Sequence, residues 1–329
     1  MERTLNIVLA GLLVLSLWLS LAVGPVPLQV GDATLDWLGG VDTDAALILG
    51  EVRLPRALLA LLVGASMALA GALLQGLLRN PLVDPALLGV SQGAAIAAAA
   101  VFYYDFLAVL GAYATLVAGL GGAGLTLLLL FGLSGPVARP AVIIMAGLAI
   151  SGLASALLAL VLNFAPSPYA MQELVFWLLG SVSHQSLQQV ALLTPLVVLG
   201  VLLAFSQRRL LAALSLGEQV AESMGLGVAR GSRVVITSAA LLVGSSVAIA
   251  GNIGFVGLLA PHLLRPLVGY RPDRLLLPAM QAGALLVLWA DMLVRLSPPG
   301  RELKLGVITA LLGAPFFIML VWKERRRWL

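Results

Sequence analysis

Apolar positions gather in ten runs, near residues 5–23, 57–78, 87–103, 107–132, 141–162, 188–205, 233–250, 254–268, 275–296 and 305–322, and polar positions gather in the short connections between them. Most runs approach the roughly 20 residues that a helix needs to cross the hydrocarbon core of a bilayer. The pattern predicts an all-α polytopic membrane protein with ten transmembrane helices. The first run exceeds the usual 7–15 residues of a secretory signal core and is followed by no A-x-A-like site, so it reads as a retained helix. The eighth run is short and carries Gly254, Gly257, Pro261 and Pro266. Positive-inside counting keeps it as a span. With ten spans and both termini cytoplasmic, 14 of the 19 cationic residues fall inside, leaving Arg53, Arg56, Arg295, Arg301 and Lys304 outside.

Composition agrees with the pattern. Of 329 residues, 61% are hydrophobic and 10% charged, against roughly 25% charged in a soluble domain. So few charges cannot cover a soluble surface. The whole chain, 1–329, reads as one transmembrane domain whose longest cytoplasmic connection is 206–232. The net charge of +4 reports orientation rather than nucleic-acid binding. Cys is absent, which excludes disulfides and thiolate chemistry. Neither lysine, Lys304 or Lys323, follows a glycine-rich loop, so the chain has no G-x-x-x-x-G-K-[ST] phosphate loop.

Small residues recur every fourth position: Gly64, Ala68, Ala72 and Gly76 in the second span, Gly147, Ser151, Ser155 and Ala159 in the fifth, and Ala240, Gly244 and Ala248 in the seventh. Such faces let helix backbones approach closely in lipid. Packing accounts for most of them; Gly147, Ser151 and Ser155 are equally placed to line a path. Intramembrane acids and bases, which mark ion pathways and proton relays, are scarce. Asp291 lies near the outer end of the ninth span, Asp84 in the Asn80–Pro85 bend, His262 after Pro261 and His184 in an outer loop. Two distant histidines make neither a metal cluster nor a nucleophile–base pair, and a hydrogen-bonded structural role suits His262. What remains is a weakly polar passage driven from outside. A stand-alone secondary carrier or channel is the rival, disfavoured by the scarcity of buried charge.

Within 206–232, residues Leu216 to Gly225 read as a short helix between glycine stops. Leu216, Val220 and Met224 share one face, and Glu218 and Glu222 another. An amphipathic element of this kind fits either a partner's grip or a helix resting at the lipid interface.

Five ordered motifs resemble the permease subunits of ABC importers for vitamin B12, ferric siderophores and haem, over nearly the whole chain. They are Arg53-Leu54-Pro55-Arg56; Asn80-Pro81-Leu82-Val83-Asp84-Pro85 with Leu88-Gly89-Val90-Ser91-Gln92-Gly93-Ala94; Leu216-Gly217 through Ala221 to Gly225; Ile253-Gly254-Phe255-Val256-Gly257-Leu258 with Pro261-His262 and Arg265; and Gly306-Val307-Ile308-Thr309-Ala310 with Gly313-Ala314-Pro315. Lys304 departs from the family's usual proline, and the loop Gly180–Leu187 lacks a common tryptophan. The resemblance implies the permease fold of type II ABC importers and a second permease copy, most simply as a homodimer. It also implies a cytoplasmic ATPase dimer carrying ATP and Mg, and a periplasmic or lipid-anchored binding protein that delivers a large metal chelate, a ferric siderophore before cobalamin or haem. No cofactor or metal would be bound by this chain itself. By the same resemblance Leu216, Gly217, Glu218, Val220, Ala221, Met224 and Gly225 would couple to the ATPase. Arg53, Arg56 and Arg295 would meet acidic side chains of the binding protein, unless Glu51 and Asp291 neutralise them. Asn80, Leu82, Arg139 and Pro140 would line a cytoplasmic gate.

Overall fold

The computed structural model describes residues 2–104, 106–135, 140–183, 185–297 and 303–325, and among them helices are the only regular elements. Helix α1 (Glu2–Ala22) is followed by α2 (Val30–Gly39) and α3 (Asp44–Leu47), which continues through a π-helical turn (Ile48–Arg53) into α4 (Leu54–Leu77). A 3-10 turn (Pro85–Leu88) leads to α5 (Val90–Tyr104), and another (Ala108–Tyr113) to α6 (Ala114–Ser134) and α7 (Pro140–Asn163). Then come α8 (Pro168–Leu178), α9 (Leu187–Ser206), α10 (Arg208–Leu214), α11 (Glu218–Ser223), α12 (Val228–Ala250) and α13 (Val256–Leu264). The chain finishes with α14 (Pro272–Arg295) and α15 (Leu305–Arg325).

Each of the ten apolar runs contains a helix, and among the described residues seven of those helices are long and apolar enough to span a bilayer. The other three runs lie on shorter helices. α5 and the apolar part of α15 (Leu305–Leu320) are shorter, and α13, with nine residues, rises only about 14 Å at 1.5 Å per residue. The cause is local. Gly251 and Phe255 hold positive φ angles of 70° and 66° before α13, and Pro266 tightens its exit into a 3-10 turn. Helices α2 and α8, of 10 and 11 residues, were not legible as elements because neither forms a membrane-length apolar run.

Contacts between loops sort the two ends of the bundle. At one end Glu2 meets Arg274 at 3.3 Å, Arg79 meets Glu218 at 3.8 Å, and Arg208 Nε donates to the Asp273 carbonyl at 3.1 Å. These are connections that the charge count assigns to the inside. At the other end Arg295 donates to the Ser20 and Val23 carbonyls, and Lys304 Nζ sits 5.6 Å from the centre of the Phe176 ring.

The core is built around α4 and α12, buried on nearly all faces. Helices α4 and α14 run antiparallel, and their register is read from three levels. Arg56 meets Asp291 near the outer end, Gly64 faces the Gly283 backbone in the middle, and Gly76 faces Pro272 at the inner end. A Cβ at Gly64 would collide with the Gly283 carbonyl, and one at Gly71 with that of Gly257. The small-residue face of the second span therefore brings α14 to backbone contact, and Gly71, outside that face, does the same for α13, where dispersion replaces the hydrophobic drive absent in lipid. The seventh-span face does the same against α6, with Gly244 on Ala123 and Ala248 on Gly119. Helix α1 is bonded to α14 along its length: Gln281 Nε2 donates to the Asn6 carbonyl, and Trp289 Nε1 to Ser16 Oγ at 3.1 Å.

Candidate gate, coupling element and outer cluster

The connection from α4 to α5 is a sequence of turns fixed by its own side chains. Arg79 takes φ +51° at the end of α4. Asn80 Oδ1 accepts from the Leu82 N–H at 3.0 Å, and Asp84 Oδ1 from the Ala86 N–H at 2.8 Å. These are the local bonds that Asn and Asp offer in turns. Three helices then clamp the segment. From α4, buried Gln75 donates to the Val83 carbonyl at 3.3 Å and to the Gly257 carbonyl at 3.2 Å. From α7, Ser151 Oγ donates to the Ala86 and Leu87 carbonyls, both at 3.3 Å, and Gly147 packs on the Leu87 backbone. From α13, Gly257 lets Pro85 sit against its backbone. Leu82 is left exposed.

Sequence reasoning missed Gln75. Its Oε1 also accepts from Arg265 Nη2 at 2.7 Å, so one side chain ties the gate turn, α13 and the cation that follows α13. A lone Gln in an apolar run was the available signal, since a buried amide requires partners.

The expected path residues divide. Gly147 is buried and Ser151 half-buried against the gate turn. Both pack against the gate turn, whereas Ser155 is exposed on α7. Pro140 is the first residue of α7. Arg139 and His184 lie outside the described residues. His262 packs edge-on against Phe316 of α15, ring centres 5.9 Å apart.

The coupling element forms as α11, shorter than the expected segment. Gly217 and Gly225 flank it at φ +116° and +76°, conformations that cost a non-glycine residue of order 1–3 kcal/mol. Leu216, Val220 and Met224 are exposed, while Glu218 is half-exposed and faces Arg79. Ala221 is different. It is fully buried at 0% exposure, and its carbonyl accepts from the Leu226 N–H at 3.1 Å. The expectation that Ala221 faces a partner is corrected: it mounts α11 on this chain, so the exposed face is rigidly held.

The outer arginines are also corrected. Arg53 is 4% exposed and donates to the Leu21, Ala22 and Val26 carbonyls. Arg295, its side chain also 4% exposed, pairs with Asp291 four residues earlier and with the Ser20 and Val23 carbonyls. Arg56 Nε meets the same Asp291 at 2.8 Å. The guanidiniums thus tie the carbonyl end of α1 to α4 and α14, whose cations the last turn of α1 favours through its unpaired carbonyls. Asp291, 1% exposed, is shared by two of them. Arg53 and the Arg295 side chain are therefore turned away from the surface while Arg56 is half-buried, and Arg53 is satisfied by carbonyls rather than by Glu51.

Two adjoining grooves open at the inner end. One, of about 620 Å³, lies beside α11 and includes Leu216, Met224 and Leu226. The other, of about 590 Å³, lies between the end of α9, α10 and the start of α14, and includes Phe205, Arg208, Arg209 and Arg271. Among the described residues no group of three or more His, Cys, Asp or Glu side chains could hold a metal.

Comparison with known proteins agrees with this architecture. The model of the FecCD transport family matches residues 12–323. The vitamin B12 import system permease protein BtuC of Klebsiella pneumoniae subsp. pneumoniae is 36% identical over 317 residues, covering 96% of this chain and 92% of that protein. The hemin transport system permease protein HmuU of Yersinia pestis is 34% identical, covering 84% of each chain. A solved structure described as an inward-facing metal-chelate type ABC transporter superposes with a TM-score of 0.87 at 34% identity, covering 98% of this chain and 99% of that one.

Proposed function

This chain belongs to the FecCD transport family, and from that membership we propose that it is the permease subunit of an importer that carries a large metal chelate into the cytoplasm. It is a multi-pass component of the cytoplasmic membrane, not a catalytic enzyme. The relatives' names point to vitamin B12 and hemin; a ferric siderophore belongs to the same chemical class. A chelated metal arrives with its coordination sphere filled, so the passage needs no metal ligands.

The observation that carries the reading is α11. Val220 stands exposed on α11, with exposed Leu216 and Met224 flanking it, while the adjacent Ala221 is buried and anchors the helix. The helix lies beside the gate turn through the Arg79–Glu218 pair at 3.8 Å. That pair is exposed and worth only about 0–1 kcal/mol, so it marks adjacency more than strength. An ATPase gripping the apolar face of α11 would move a rigid element that touches the gate. We take the gate as Asn80 and Leu82 with Arg139 and Pro140, the cargo path as lying beyond Ser155, and the partners as a second copy of this chain, an ATPase dimer carrying ATP and Mg, and a substrate-delivering binding protein.

The test is reconstitution of the chain with its ATPase and binding protein in vesicles. Uptake of cyanocobalamin, haem and a ferric siderophore is measured with and without ATP. ATP-dependent uptake of one chelate is expected. Uptake by this chain alone, independent of ATP, would make it a carrier.

A further inference from the structure

The second inner groove is not absorbed by the transport mechanism, and its chemistry is specific. Arg208 and Arg209 enter it from the first turn of α10, and Arg271 from the connection before α14. The one acid there is Asp273, and Arg271 already holds both of its oxygens, at 3.2 and 2.9 Å. Three cations against one anion leave a charge of +2. Arg208 spends its Nε on the Asp273 carbonyl at 3.1 Å and stacks 5.7 Å from the centre of the Phe205 ring. That leaves its two terminal nitrogens for an acceptor. Arg209 has no hydrogen bond or ion pair with another described residue.

The groove also has an apolar continuation. Along α9 the buried positions are Val190, Leu193, Val197, Gly200 and Ala204. The opposite face is exposed at Val198, Leu199 and Leu202 and runs down to Phe205 and the arginines. An open apolar helix face ending in unneutralised arginines at the cytoplasmic membrane boundary matches one molecule along its length. Acyl chains cover the helix, and a phosphate meets the guanidiniums, for which the planar arginine fork is suited. Basic pockets at the inner ends of membrane helices recognise anionic headgroups on this principle.

We propose that the groove between α10 and the start of α14 binds the phosphate of an anionic phospholipid of the inner leaflet, with its acyl chains along the exposed face of α9. The neighbouring groove shares Arg209, Ala212, Arg271 and Asp273 with this one and adds Leu216 and Met224; Arg208 and Phe205 belong to the lipid groove alone, so the lipid sits directly beside the coupling element.

The experiment uses the purified full chain in neutral detergent, with native mass spectrometry and thermal melting as readouts. The probes are dioleoylphosphatidylglycerol, dioleoylphosphatidylcholine and inorganic phosphate. Wild type is expected to retain phosphatidylglycerol at least fivefold more than phosphatidylcholine and to melt higher with it. Arg208→Ala with Arg209→Ala should lose that preference yet melt normally in phosphatidylcholine, because both side chains are exposed. Val220→Glu should keep it. Equal retention of the two lipids overturns the proposal, as does a preference that survives the double substitution. Protection by inorganic phosphate equal to that by phosphatidylglycerol would make the groove a free-anion site. A double variant that keeps its lipid preference but loses ATPase affinity would make it a protein interface. Both outcomes count against the proposal, and neither bears on whether the chain is an importer permease.

Discussion

Arg265 Nη2 donates to Gln75 Oε1 at 2.7 Å, and the amide nitrogen of the same Gln75 holds the carbonyls of Val83 and Gly257. One buried amide therefore sets the position of the gate turn relative to α13 and the cation behind it. Gln75→Leu removes the acceptor from Arg265 and strands two carbonyls. Stranded buried polar groups cost about 1–3 kcal/mol each, so the variant is expected to melt lower. Gln75→Glu keeps the acceptor for Arg265 but loses the amide donor, so it strands the same two carbonyls and sets a carboxylate oxygen against them, and it too should melt below wild type. In the cysteine-free chain, Leu82→Cys reports the gate. Its labelling should respond to nucleotide in the complex with Gln75 intact and respond less in either variant. An unchanged response in both would confine Gln75 to a structural role.

Gly71 is a test of backbone contact. A methyl group there meets the Gly257 backbone rather than a side chain that could swing away. Gly71→Ala should destabilise by about 1–3 kcal/mol or more through overpacking. Gly152 of α7 has no neighbouring atom within 4 Å of an added Cβ, and Gly152→Ala should be neutral or stabilising by up to about 1 kcal/mol through helix propensity. Thermal melting of the two variants side by side checks the contrast.

Val220 and Ala221 lie one residue apart on α11 with opposite environments, 40% and 0% exposed. Val220→Glu is expected to weaken ATPase association at least tenfold, about 1.4 kcal/mol, with the chain's own melting unchanged. Ala221→Trp should open the α11 segment to limited proteolysis even without the ATPase. Protection of the segment in Ala221→Trp would mean that α11 is not anchored through this residue.

Asp291 pairs with both Arg56 and Arg295. Asp291→Asn leaves the buried guanidinium of Arg295 and the half-buried one of Arg56 without a carboxylate and should cost about 3–5 kcal/mol, the range for breaking a buried pair from one side. Because these cations face inward, Arg53→Gln should lower the melting temperature and leave the salt dependence of binding-protein docking unchanged. Normal melting with a flattened salt dependence would instead place Arg53 against the binding protein.

Much of this protein was legible in its sequence, for reasons that lie in the bilayer. Hydrocarbon admits only segments that satisfy their own backbone, so apolar runs announced the helices, and arginine placement sorted their ends before any contact was known. The turn chemistry of Asn80, Asp84, Gly217 and Gly225 was readable too, because it depends on residues a few positions apart. What only the tertiary structure decided was the direction in which individual side chains face. Ala221 and Val220 are adjacent in an amphipathic pattern, yet the docking of α11 against its own chain buries one and frees the other. Arg53, Arg56 and Arg295 read as outer cations from their positions. Their guanidiniums turned inward because the carbonyl end of α1 and the Asp291 carboxylate, 235 residues from Arg56, offer a buried charge what lipid cannot. Gln75 was silent for the same reason: its partners at Val83, Gly257 and Arg265 converge only when α4 and α13 cross at a pair of glycines. Local pattern determines what can cross a membrane, and long-range packing determines which polar groups meet inside it.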